Sequence, residues 1–279
     1  MPALLKGGDH GLDRTDCLCK QTRPSGLPAP QQSSQEAWQA LAQSYVAIPR
    51  LARIIRELQA SPENEILEQE GVNLAQIFYE TTIDPNFLSE ASSLGHLWEV
   101  PTTLGHLADV IPTSYGFKSR KLAALLVMYW MSRLLICGLV DKIISVVPSE
   151  AEFFGARVEA EDRYLATEVL KMVQYGFTIS SDMDSGTVRI QQLQVLSSLQ
   201  IAFGAWYRME KRATATMKGS SEGRERKIER AIFMKRLCLD LGNGFMRGMQ
   251  LPIMTMGSLE ATSEVFAGGP LVQCDLAEI

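Results

Sequence analysis

Leu122–Val140 reads LAALLVMYWMSRLLICGLV, nineteen residues with a single charge, at Arg133. A run this long and apolar is either a bilayer span or the central helix of a sizeable helical core. Its length is near the minimum for crossing hydrocarbon. Arg133 lies past its middle, where an arginine costs about 2.5–3.5 kcal/mol to insert. Lys118, Arg120 and Lys121 precede it, as they would at an anchor, while Asp141 and Lys142 follow and apolar residues then resume to Val147. An enclosed helix whose arginine is paired or reaches the surface fits these features at a lower cost. The expected fold is all-α: an irregular helical array around a buried central helix at about 118–147. A membrane span at 122–140 is the competing reading.

The rest of the chain agrees with a helical core. Its 279 residues are 46% hydrophobic and 21% charged, enough to bury a core in one large domain or two small ones. A net charge of −5 and a pI near 5.4 argue against a surface built mainly to hold nucleic acid. Cys17, Cys19, Cys137, Cys238 and Cys274 are odd in number and widely spaced, which is no disulfide framework, so a reducing compartment is expected. Cys137 and Cys238 fall on apolar helical stretches, where a thiol behaves as a small hydrophobe.

Helical periodicity starts at Trp38, with Leu41, Ala42, Tyr45 and Val46 on one face, and resumes after Pro49 in Leu51, Ile54, Ile55 and Leu58. Ser61-Pro62-Glu63 and Asp84-Pro85 have the grammar of helix starts, and Ser149 with Glu152 that of a capping box. Gly71 is a weak point in the stripe that follows Ile66. Residues 91–117 hold many turn formers, and no segment alternates strictly enough to read as a strand. Later stripes run through Leu165, Val169, Met172 and Val173, then Leu193 to Tyr207, then Ile228 to Phe245. Turns are expected at Ser180–Gly186 and Thr214–Gly223. The organisation expected is a disordered tail over 1–35, one helical domain over 36–250 and a poorly ordered tail over 251–279.

Few residues carry recognisable chemistry. The chain has no phosphate loop, no Gly-x-Ser-x-Gly elbow and no His-Glu-x-x-His pair. Gly242-Asn243-Gly244 follows a helix, not a strand, and reads as a flexible or closely packed site. Asp182 and Asp184 open a calcium-loop pattern that fails at Thr187 and Leu193. His96 and His106 lack a third ligand at useful spacing, and Cys17-Leu18-Cys19 is too close-set for a zinc knuckle. Neither metal nor cofactor is expected. Glu159, Glu161 and Asp162 are the densest acids and look like a solvated face. From Lys211 to Arg236 nine Lys/Arg face three Glu. With Glu225 and Glu229 one turn from basic neighbours, this reads as a self-paired, solvated helix and not as a phosphate-contacting face.

Three segments in succession resemble a known family: IDPNFLSEASSLGHLWEVPTTLGHLADVIP (83–112), YWMSRLLICGLV (129–140) and LQVLSSLQIAFGAWYRMEKR (193–212). Their order is similar to the C-terminal regulatory region of fungal binuclear zinc-cluster (Zn2Cys6) transcription regulators, over roughly residues 51–250. The family's DNA-reading module uses six cysteines in a short basic segment, and near its start this chain has only Cys17 and Cys19, so no zinc or DNA contact carries over. The resemblance implies a non-enzymatic effector domain, nuclear or otherwise cytoplasmic, possessing no zinc cluster of its own and serving a fungal secondary-metabolite gene cluster. Its implied partners are other transcription regulators or a small-molecule effector, with no direct DNA contact and no membrane. Helix packing around Leu122–Val140 would respond to that ligand or partner, with Tyr129, Trp130, Arg133 and Trp206 as candidate lining residues. The alternative is a helical accessory protein or enzyme of secondary metabolism with an apolar pocket.

Overall fold

The computed structural model describes residues 29–80, 86–147, 151–181, 186–215 and 221–269. In chain order they form α1 (Ala29–Ala60), α2 (Glu65–Glu80), α3 (Asn86–Ser93), β1 (Leu97–Pro101), α4 (Gly105–Ala108), β2 (Thr113–Phe117), α5 (Arg120–Val146), α6 (Ala151–Ser181), α7 (Gly186–Ala215), α8 (Ser221–Gly248) and α9 (Met256–Phe266). The fold is all-α apart from one antiparallel hairpin.

The apolar run becomes α5, and α1, α2, α6, α7 and α9 all pack against it. That enclosure explains why the helix is apolar nearly all round. Trp130, Leu134, Cys137, Leu139, Val140 and Ile143 are completely buried. By length and composition α5 could cross a membrane, yet 72% of its most apolar window is buried by the protein's own helices.

Two breaks read from the sequence are absorbed by packing. Pro49 lies inside α1 and forgoes a backbone bond to Tyr45. The helix continues because Leu41 before it and Leu51, Ile54, Ile55 and Leu58 after it are all buried. Gly71 lets α2 approach closely: a Cβ there would meet Ile54 Cγ2 at 3.1 Å and Ile143 Cδ1 at 3.2 Å. The weak point of the sequence is thus the contact between α2 and both α1 and α5.

Some boundaries and elements differ from the expectation. The tail expected over 1–35 lies outside the described residues as far as residue 28, but Ala29 already belongs to α1. The second helix starts at Glu65, not at Ser61-Pro62-Glu63, because the side chain of Asn64 accepts the Leu67 N–H at 3.1 Å. Asp84-Pro85, Ser149 and the Asp182/Asp184 pair lie outside the described residues.

Residues 97–117 hold a hairpin in which Leu97 pairs with Phe117 and Pro101 with Thr113. Neither strand alternates between buried and exposed: both are short, β2 packs onto α6, and β1 meets α6 through Lys171 on Glu99 and Gln174, which donates to the Pro101 carbonyl. Strand signals therefore never form in the sequence. Residues 251–269, expected as part of a poorly ordered tail, instead carry α9. Its N-terminus is closed by a reciprocal Thr255–Ser258 capping box, with serine where the usual motif has Glu or Gln. Gly242-Asn243-Gly244 proves closely packed. Asn243 accepts from Met254 N at 2.7 Å and donates to its carbonyl at 3.0 Å, which fixes the link from α8 to α9.

Candidate functional site: a cleft over a buried arginine

On α5, Leu126, Tyr129, Trp130 and Arg133 follow the i, i+3, i+4, i+7 rule and share one face. On α6, Arg157, Glu161 and Tyr164 do the same and face them. The C-terminal end of α2 (Tyr79, Glu80) and the start of α3 (Phe87, Leu88) complete the walls of a cleft of about 730 Å³. This volume lies within the range of small-molecule sites.

Arg133 forms the polar floor and is only 1% exposed. Its Nε donates to Glu161 Oε1 at 2.8 Å, and Nη2 lies 2.6 Å from the same oxygen. Nη1 donates to the carbonyls of Phe78 at 3.1 Å and Tyr79 at 2.8 Å. Those carbonyls belong to the last turn of α2, where unsatisfied acceptors and the negative end of the helix dipole attract a cation. One guanidinium thus caps α2 and joins α5 to α6. Burial works against its charge, but Glu161, together with Cys137 and Tyr129, outweighs that and holds the arginine pKa above its ordinary value.

Tyr79 sits beside two cations, with the guanidinium carbons of Arg133 and Arg157 at 5.1 and 5.3 Å from its ring centroid. Burial, followed by the negative charge of Glu161, pushes the Tyr79 phenol well up, so it stays protonated. Trp130 stacks on Tyr115 of the hairpin at 5.9 Å between centroids. Its indole Nε1–H is buried and has no acceptor among the described residues.

Behind the cleft, the next residue of α6 enters a second ion cluster. Asp162 is fully buried and accepts from Arg208 Nη2 and Arg212 Nη2, both at 2.6 Å. Arg208 also donates to the Leu134 carbonyl at 3.1 Å, and Arg212 Nη1 lies 3.2 Å from Asp141. Gly138 makes room, since a Cβ there would come within 2.8 Å of Arg208 Nη1. Between the two clusters lies Cys137, whose thiol burial holds well above its usual pKa and therefore unreactive.

Three of the four candidate lining residues, Tyr129, Trp130 and Arg133, line this one cleft. Trp206 does not. It is buried on α7 and is not among the lining residues, and its indole N–H also has no acceptor among the described residues. Sequence reasoning missed Tyr79, Phe87, Glu161 and Tyr164. A signal for Glu161 was present: an arginine in an apolar helix needs a carboxylate, and 159–162 is the densest acidic stretch. Reading that stretch as a solvated face is corrected by the full burial of Asp162 and the Arg133–Glu161 pair.

The basic stretch is likewise mixed. Arg226 pairs with Glu222 within its own helix, whereas Lys235 is buried between Glu210 and Glu260, each at 2.6 Å. Among the described residues no three His, Cys, Asp or Glu gather as metal ligands. No family model matches the chain, and neither a curated protein nor a solved structure matches it.

Proposed function

We propose that this chain is a non-enzymatic regulatory protein. It would act as the effector domain of a transcription regulator of the fungal zinc-cluster type, in the nucleus, and respond to a small molecule or a partner regulator. The observation that supports the reading is the cleft: Tyr129 and Trp130, singled out in the sequence, line it together with Arg133, whose guanidinium joins three helices. An occupant of that cleft bears directly on α2, α5 and α6, so binding is coupled to helix packing. The six-cysteine module is not in this sequence, so DNA contact in this reading comes from a partner or from another part of a longer protein.

A fusion of the chain to a heterologous DNA-binding domain tests this in a fungal reporter strain. Transcription should change several-fold relative to the DNA-binding domain alone, and an unchanged reporter rejects the regulatory role. The same aromatic cleft favours a second reading, a helical enzyme or accessory protein of secondary metabolism. Conversion of a small-molecule substrate by the purified protein would select that reading instead.

A further inference from the structure

We infer that the outer face of α1 is where two copies of this chain pair, antiparallel, about a two-fold axis between Tyr45 and Val46. The inference goes beyond the cleft and stands independently of it. The sequence sets Trp38, Leu41, Ala42, Tyr45 and Val46 on one face, but the helix divides them. Leu41 is buried, whereas Trp38, Tyr45 and Val46 are 43, 40 and 67% exposed. Ala42, Pro49 and Arg53 are exposed along with them. At 3.6 residues per turn these six positions form one stripe, about 100° wide.

Charge narrows what covers this face. Ala37–Pro49 has no charged residue in thirteen positions, in a chain where 21% are charged. The exposed start of α8, Glu222–Arg230, has seven in nine. A helix face turned to water is ordinarily polar, and loss of charge marks the centre of a protein interface. A charged partner finds nothing along the stripe's centre to pair with. A second copy brings the same uncharged surface, and since each copy carries a net −5, two copies meet there with the least repulsion.

The spacing matches two-fold symmetry. Trp38, Ala42, Tyr45, Val46, Pro49 and Arg53 are separated by 4, 3, 1, 3 and 4 residues, the same read in either direction. A second α1 turned antiparallel about the midpoint sets Trp38 level with Arg53 of the other copy and Ala42 level with Pro49. The two Tyr45–Val46 pairs then meet at the axis. Ala42 and Pro49 are small enough for the helices to approach closely. Arg53, 66% exposed and 3.7 Å from Glu57 of its own helix, comes within reach of the Trp38 ring of the other copy. A strip about 22 Å long and one helix wide supplies about half of the ~800 Å² per partner of a standard interface, so the dimer is weak and concentration-dependent.

Sedimentation equilibrium of the purified full chain between about 1 μM and about 1 mM tests this. The chain should pass from monomer to dimer across that range. Val46→Glu, at the most exposed position of the stripe, sets like charges side by side at the axis. It should weaken dimerisation about tenfold or more and leave the melting temperature unchanged. Val46→Lys should do the same, and mixing the two variants should restore dimers, because position 46 of each copy then meets its opposite charge. Arg53→Ala should weaken the dimer by a smaller factor, about threefold. A chain that stays monomeric at the highest concentration overturns the inference. So does a dimer indifferent to Val46→Glu, or one that the mixture fails to restore. A monomer whose melting temperature falls with Val46→Glu assigns the face to a contact within the chain and overturns it as well.

Discussion

Glu161 and Asp162 are neighbours on α6, and each pairs with arginine, yet they serve opposite sides of the molecule. Glu161 faces the cleft, with its side chain 21% exposed, and shares one oxygen between two nitrogens of Arg133. Asp162 faces α7, is fully buried, and uses both oxygens to hold Arg208 and Arg212. The difference is in what happens when a partner is lost. Water can reach the carboxylate on the cleft side, so that pair can rearrange around an occupant. On the other side Asp162 itself is out of reach of water, so its contacts act as a fixed joint between α5, α6 and α7, although Arg208 and Arg212 are 11% and 22% exposed. A responsive site and a rigid hinge-pin are thus one residue apart.

The largest effect that could break this comparison is at the sealed joint. Asp162→Ala leaves two guanidinium groups facing a buried void and should cost about 3–5 kcal/mol, read as the unfolding free energy in urea. Arg133→Met removes the cap of α2 but leaves Glu161 access to water, so the expected loss is smaller, about 2 kcal/mol. Equal losses for the two variants would show that the cleft side is as rigid as the sealed side.

The smallest effect comes from a solvated pair, which sets the scale for both. Burial raises the Glu264 carboxyl, but its bond to Lys211 and the charges of Lys211 and Lys142 outweigh that and hold it below the ordinary glutamate value. A depressed folded pKa gives stability that is present above the unfolded value and lost as pH falls through the folded one. Glu264→Gln should flatten that part of the acid limb by no more than about 0.5 kcal/mol, measured by unfolding between pH 3 and 6.

The central helix was legible because hydropathy reports directly on enclosure, and α5 is enclosed from several directions. The same signal marked Arg133 as the residue needing an explanation. Its partners were not legible, since periodicity shows which face of a helix is buried and not which helix covers it. Glu161 and Asp162 look alike in sequence, and only the packing of α5 on one side and α7 on the other separates them. The hairpin escaped because Trp98 lies against Gly116 and β2 is the strand that packs onto α6, so neither strand shows a period of two. The last helix escaped because serine replaced the acid that usually announces a capping box. Trp206 drew attention as a large aromatic ending a stripe, a pattern that core and cleft residues share.

The chain's last described turn bears on its first helix. Gly268, in the left-handed region at φ 84°, lies so close to Ile55 of α1 that a Cβ would meet Ile55 Cγ2 at 3.0 Å. A nascent polypeptide therefore cannot finish covering Ile55 until residue 268 has left the ribosome. Translation order and folding order part company here, since a helix near the start of the described residues is completed by one near their end.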